Sequence, residues 1–258
     1  MIMDIFKDCF EYSFKEPKNI LKLGILFILS ALIIPCFLVN GYFYRITKIG
    51  VNGMINGDDP LPEFNNWGTM FLEGIKIFIV RLAYFIPGII ITIFAIAIFV
   101  SFSVLTIGNG IGNYPDFSTL FIIFGVISIS TLVSLIFYLL SNVAIPHMIN
   151  KGSIFSAFKI REIIAIIKSI GVYKYLQFYT GCIVLLLGIT STTFLFFALI
   201  GFALGLIISP AMGPIAMAFP GIFMVVTSPL ALYLFLNPFF MIFEGRAIAL
   251  MYNTRENE

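Results

Sequence analysis

Long apolar blocks separated by polar stretches dominate this chain. Blocks near 77–107, 118–146, 176–208 and 215–243 each exceed the roughly 20 residues that a spanning helix needs. Each predicts a membrane span with room to tilt or to extend past the hydrocarbon. A shorter apolar block, 19–44, contains Pro35, and the stretch 45–69 after it is polar and turn-rich. Two other segments carry apolar residues at helical spacing. In 3–16, Ile5, Phe6, Cys9 and Phe10 share one face, and Asp4, Lys7, Asp8, Glu11 and Lys15 share the other, with Pro17 ending the helix. Such a helix lies in the membrane interface or packs on the protein's own cytoplasmic surface, and the pattern does not separate the two. In 153–170, Ala157, Ile160, Ile163, Ile164 and Ile167 share a face, while Arg161, Glu162, Lys168 and Ser169 point elsewhere.

The expected fold is therefore all-α. It is a polytopic membrane helix bundle with four long spans, a proline-broken first hairpin (19–56) and two interfacial amphipathic helices (1–17 and 153–170). It forms one integral membrane domain over 1–258. Bends or breaks are expected at Pro35, Pro87 and Pro229.

Charge sets an orientation. All 15 Lys and Arg fall in the N-terminal segment, around the first loop, in the central loop or near the C-terminus. The turns near 108–117 and 209–214 contain none. The positive-inside rule then places both termini and the central loop in the cytoplasm of a cell-membrane protein. The first block strains this scheme. A single crossing would put the N-terminal lysines outside. Lys22 to Arg45 spans about 35 Å as helix, too short for two crossings of a ~30 Å core. A re-entrant hairpin bent at Pro35 fits if its second helix runs past Arg45; a single span with an outside N-terminus is the other solution.

Composition agrees: 60% of residues are hydrophobic, 11% are charged, and the mean hydropathy is +1.06. A soluble globule lacks the polar residues to cover that surface. A net charge of +2, scattered among apolar segments, argues against nucleic acid. Cys9, Cys36 and Cys182 share no metal-ligand spacing and read as small hydrophobes, not a disulfide pair. Asp4, Asp8 and Glu11 interrupt any secretory-signal pattern.

Candidate chemistry is sparse. The sequence holds no metalloprotease, nucleophile-elbow or P-loop motif. His147, the single histidine, follows Pro146 at a span end and reads as an interfacial residue. Asp58, Asp59 and Glu63 read as a solvated turn before a cation site. Arg45, Arg81, Glu244 and Arg246 lie nearest the apolar segments, where they anchor at the interface or pair with other charges. Arg45, Lys159, Arg161 and Lys168 are the candidate headgroup or partner contacts. Gly201 and Gly205 form a G-x-x-x-G for close helix packing within the chain. Prolines from Pro210 to Pro238 punctuate the last third as kinks. Phe64, Trp67 and Tyr84 recur as Phe155, Phe158 and Tyr175 at an offset of 91, a faint sign of duplication.

Within Gly41–Lys76, Gly41-Tyr42, Arg45, Gly57, Pro60-Leu61-Pro62-Glu63-Phe64, Trp67-Gly68, Phe71 and Gly74-Ile75-Lys76 form a specific pattern. This stretch resembles the prokaryotic membrane family called domain of unknown function 4013. That family usually has two acidic residues before the tryptophan, where this chain has Asn65 and Asn66. The terminal Glu244-Gly245-Arg246 is also similar. The resemblance implies a multi-pass membrane protein and no particular activity, cofactor or site residue. Taken on its own, the loop reads as ordered: prolines hold it extended, Trp67 suits an interface, and Asn65 or Asn66 can cap the next helix. The expected role is a non-enzymatic membrane component, without cofactor, that binds lipids or an unknown protein partner. A transporter or permease subunit is the alternative, resting on the broken apolar segments and the repeat.

Overall fold

The computed structural model describes residues 1–108, 117–212 and 219–255. The chain is 88% helical, without strands among the described residues. Helix α1 (Ile2–Phe14) is followed by α2 (Pro17–Leu29), α3 (Ile33–Asn52), α4 (Trp67–Gly108) and α5 (Phe117–Lys151). A 3₁₀ turn (Ile154–Phe158) precedes α6 (Ile160–Ile170), α7 (Val172–Met212) and α8 (Phe219–Ala231). A π turn (Leu232–Leu236) joins α8 to α9 (Asn237–Asn253). Among the described residues, four stretches are long and apolar enough to span: Trp67–Ile98, Phe124–Lys151, Val172–Ile208 and Phe219–Asn253. Residues 109–116 of the first expected turn and 213 and 214 of the second lie outside the described residues, whereas 209–212 of the second are the end of α7.

The first apolar block breaks earlier than its proline suggested. The helix ends at Leu29 and restarts at Ile33, so Pro35 sits in the first turn of α3. A proline costs nothing there, because first-turn N–H groups have no intrahelical acceptor. Helix α3 then continues past Arg45 to Asn52. Pro87, Pro146 and Pro229 lie inside continuous helices, and the helical pattern changes to π only after Pro229. The expected helix over 153–170 divides at Lys159 into the 3₁₀ turn and α6. Ala157, Ile163 and Ile170 are buried, but Ile160 and Ile164 are exposed, so the apolar stripe is wider than the face the structure covers. Gly152 and Gly171 bound this segment at φ +66° and +94°, the left-handed region that glycine enters freely.

The chain forms two compact units, Met1–Ile75 with Ala165–Glu258, and Lys76–Ile164. In the first, α9 is the centre. Helices α1 and α3 pack on it, α2 packs on α3 and the π turn, and α7 packs on α8. Small residues set the closeness. A Cβ on Gly50 would stand 2.7 Å from Ala249, and one on Gly245 would stand 2.9 Å from Ile46. Phe6 stacks with Phe178 and Phe243, and Phe10 and Phe14 meet Phe239. Helix α1 therefore packs its apolar face against the end of α9.

In the second unit, the Thr92 and Ser130 hydroxyls lie 2.6 Å apart and both reach the Gly88 carbonyl, so one donates to that carbonyl and the other to its hydroxyl neighbour. The Tyr84 hydroxyl donates to the Ala157 carbonyl at 2.7 Å, which fixes the 3₁₀ turn against a spanning helix. The offset-91 aromatics do not occupy equivalent elements. Tyr84 is deep in the 42-residue α4, whereas Tyr175 is in the first turn of α7.

Candidate functional site

Arg246 lies in a run of α9 from Pro238 to Tyr252 that is almost wholly buried. A charge in such a run needs partners, because an unpaired buried ion is expensive. Its guanidinium has three. Nε donates to Asp8 Oδ2 at 2.9 Å, Nη1 to Asp59 Oδ2 at 2.7 Å and Nη2 to the Met54 carbonyl at 3.1 Å. The group also lies over the Tyr12 ring, 4.8 Å from its centroid. Arg246 is 0% exposed, Asp8 5% and Asp59 27%. Asp8 uses its second oxygen to accept the Asn56 N–H at 2.7 Å. Asn56 sits at φ +59°, one of the few side chains that tolerate this region. The Tyr12 hydroxyl donates to the Pro60 carbonyl at 3.0 Å. Lys15 pairs with Asp58 and donates to the Asp59 carbonyl. The amide of Asn253 reaches the carbonyls of Gly50, Val51 and Gly53.

One arginine thus fastens the N-terminal helix, the 53–66 loop and α9 together. A second arginine organises the loop's far end. Arg45 pairs with Glu73 at 2.9 Å and donates to the carbonyls of Glu63 and Asn65 and to Thr69 Oγ1. Asn66 precedes α4, and its carbonyl accepts the Met70 N–H. Tyr42 stacks beneath the loop on Phe64, with centroids 4.4 Å apart.

A cleft of about 330 Å³ opens beside this clamp, lined by Asp8, Glu11, Tyr12, Lys15, Asn56, Gly57 and Asp58. Its carboxylates are committed: Asp8 to Arg246, Asp58 to Lys15 and Glu11 to Lys7. The Lys15 ammonium holds Asp58 below the usual carboxylate range. No cluster of metal-ligating side chains forms among the described residues. Burial, with the Asp8 charge second, keeps the Cys9 thiol protonated well above its ordinary pKa, which removes it as a nucleophile. The cleft holds its charges in ion pairs.

The family question is settled by sequence coverage. The DUF4013 family, described as a protein of unknown function, matches residues 25–200. The chain belongs to that family. The match includes Arg45, Asp59 and the loop between them, whereas Asp8 and Arg246 lie outside it. No curated protein and no solved structure matches this DUF4013 chain.

The sequence-derived candidates are dispersed. Arg45 bonds to Glu73 and to the loop before α4. Lys159 pairs with Glu162 at 2.8 Å, and Arg161 and Lys168 are exposed. Gly201 and Gly205 are buried in α7, and a Cβ on Gly201 would come within 3.1 Å of Phe223 in α8. His147 is not at the surface. It is buried in α5 with Nε2 3.1 Å from Glu162 Oε2, because α5 runs beyond Pro146 and turns only at Gly152. Asp8, on the polar face of its helix by periodicity, and Arg246, for which the sequence allows anchoring or pairing, are the buried pair at the centre of the clamp. The legible signal is an arginine close to the end of the apolar block 215–243. The identity of its partner, 238 positions away, has no local signature.

Proposed function

We propose that this DUF4013 protein is a non-enzymatic component of the cell membrane that binds lipids or a partner protein, with both termini and the central loop cytoplasmic. The observation that carries this reading is the state of the spans. Their most apolar 18-residue windows bury between 0% and 22% of their residues, so their sides are free for lipid or for other helices. Several hydroxyls along them are satisfied internally. Thr190, Thr192 and Thr193 in α7 each donate to the carbonyl four residues back, as side chains facing hydrocarbon must. The charged clamp lies away from mid-span and is internally neutralised, which suits anchoring better than turnover.

A transporter is the second reading, favoured by the π turn after Pro229, since such turns recur at functional sites. Single cysteines at Thr92, Ser130, Thr190 and Thr193 in a cysteine-free background separate the two. Resistance to a hydrophilic maleimide in membranes is expected. A continuous run of labelled mid-span positions would replace this reading with a transport path. A cysteine at Ser153 should stay unlabelled by impermeant reagent in intact cells; labelling there would overturn the orientation.

A further inference from the structure

The end of α5 and the 3₁₀ turn carry a combination that the clamp does not use. Phe155 is 78% exposed and Phe158 41%, and Ile160 is also exposed. Beside them Lys151, Lys159 and Arg161 are exposed. The single acid in this stretch, Glu162, is engaged on both oxygens, by Lys159 at 2.8 Å and by His147 at 3.1 Å. Lys151 and Arg161 therefore face outward uncompensated by it, next to bare aromatic and aliphatic side chains.

Placement identifies the occupant. The span Phe124–Lys151 ends at the first of these residues. Gly152, at φ +66°, turns the chain there. Five 3₁₀ residues advance only about 10 Å. The Tyr84 hydroxyl, from the span Trp67–Ile98, holds the turn by the Ala157 carbonyl. The turn thus begins three residues past Lys151, at the depth where the span Phe124–Lys151 ends. Apolar rings set beside cations at that depth match acyl chains set beside phosphate. We propose that Lys151–Ile164 is a docking surface for anionic phospholipid, with Phe155, Phe158 and Ile160 entering the acyl boundary and Lys151 and Arg161 holding the headgroup. This deepens the lipid-binding reading above and rests on it. It also moves the contact from Lys159, which Glu162 occupies, to Lys151.

The test uses the full chain in vesicles. Trp67 is the single tryptophan, so Trp67→Phe with Phe155→Trp places one indole in the turn. Vesicles of phosphatidylcholine with a minority of phosphatidylglycerol are prepared with bromine on one lipid or the other. Brominated phosphatidylglycerol should quench beyond its mole fraction, and salt should reduce the excess. Adding Lys151→Gln and Arg161→Gln should lower the preference by roughly fivefold per charge at low salt. Lys151→Arg with Arg161→Lys should retain it, which separates loss of charge from loss of fold. Quenching that follows mole fraction in every variant overturns the headgroup site. Absence of quenching by either lipid overturns the interfacial placement. Neither result bears on mid-span water access, so failure here is distinguishable from failure of the reading it rests on.

Discussion

Replacing Arg246 with methionine removes the centre of the clamp while keeping most of its apolar volume. Asp8 is then left buried with one backbone hydrogen bond and no countercharge. Breaking a buried pair from one side costs about 3–5 kcal/mol. Asp59 is partly solvated and adds about 1 kcal/mol at most. Loss of the Tyr12 ring contact adds ~1 kcal/mol. The sum is comparable with the whole stability of a small domain, roughly 5–15 kcal/mol. Spans held by lipid need not unfold, so the loss should appear as release of α1 and the 53–66 loop. Hydrogen exchange and limited proteolysis in detergent or nanodiscs would read this directly. Arg246→Lys should be intermediate, because one ammonium cannot reach Asp8, Asp59 and the Met54 carbonyl together. Combining Arg246→Met with Asp8→Leu should recover much of the loss, since an apolar pair replaces the orphaned charge. If Arg246→Met leaves α1 as protected as in the wild type, the clamp argument is wrong.

Other substitutions probe separate contacts. Gly74→Ala would put a Cβ 1.8 Å from the Phe37 carbonyl oxygen, and Gly41→Ala would put one 1.9 Å from that of Met70. Both should sharply lower the yield of folded protein, whereas Gly68→Ala meets nothing within 4 Å and should raise the melting temperature through up to ~1 kcal/mol of helix propensity. Asn142→Leu should also stabilise, by about 1–3 kcal/mol, because its buried amide has no partner for either Oδ1 or Nδ2; a lower melting temperature would show that the amide is satisfied. Lys159 first, then His147, holds the Glu162 carboxyl below its ordinary range. The stabilisation from that depressed pKa is complete above the usual glutamate value and is lost as pH falls through the lower, folded one. Amide protection in α6 should therefore fall only under strongly acid conditions, and Glu162→Gln should abolish that acid step.

What the sequence determined by itself was everything that depends on local chemistry and solvent. Apolar blocks longer than 20 residues specify spanning helices whatever their neighbours, because backbone groups in lipid must bond within the helix. Helical spacing marked the segment 153–170 that contains α6, and Arg246 stood beside an apolar block with anchoring and pairing both open. Tertiary structure decided which partner. Asp8 looks solvated by helical periodicity, and it is buried only because α1 lies on α9. His147 looked interfacial until α6 supplied Glu162. Arg45, a candidate headgroup or partner contact by its place beside an apolar block, is met by the Glu63 and Asn65 carbonyls and by Thr69 Oγ1. In each case a side chain's local pattern records its own polarity but not the groups that long-range packing brings to it.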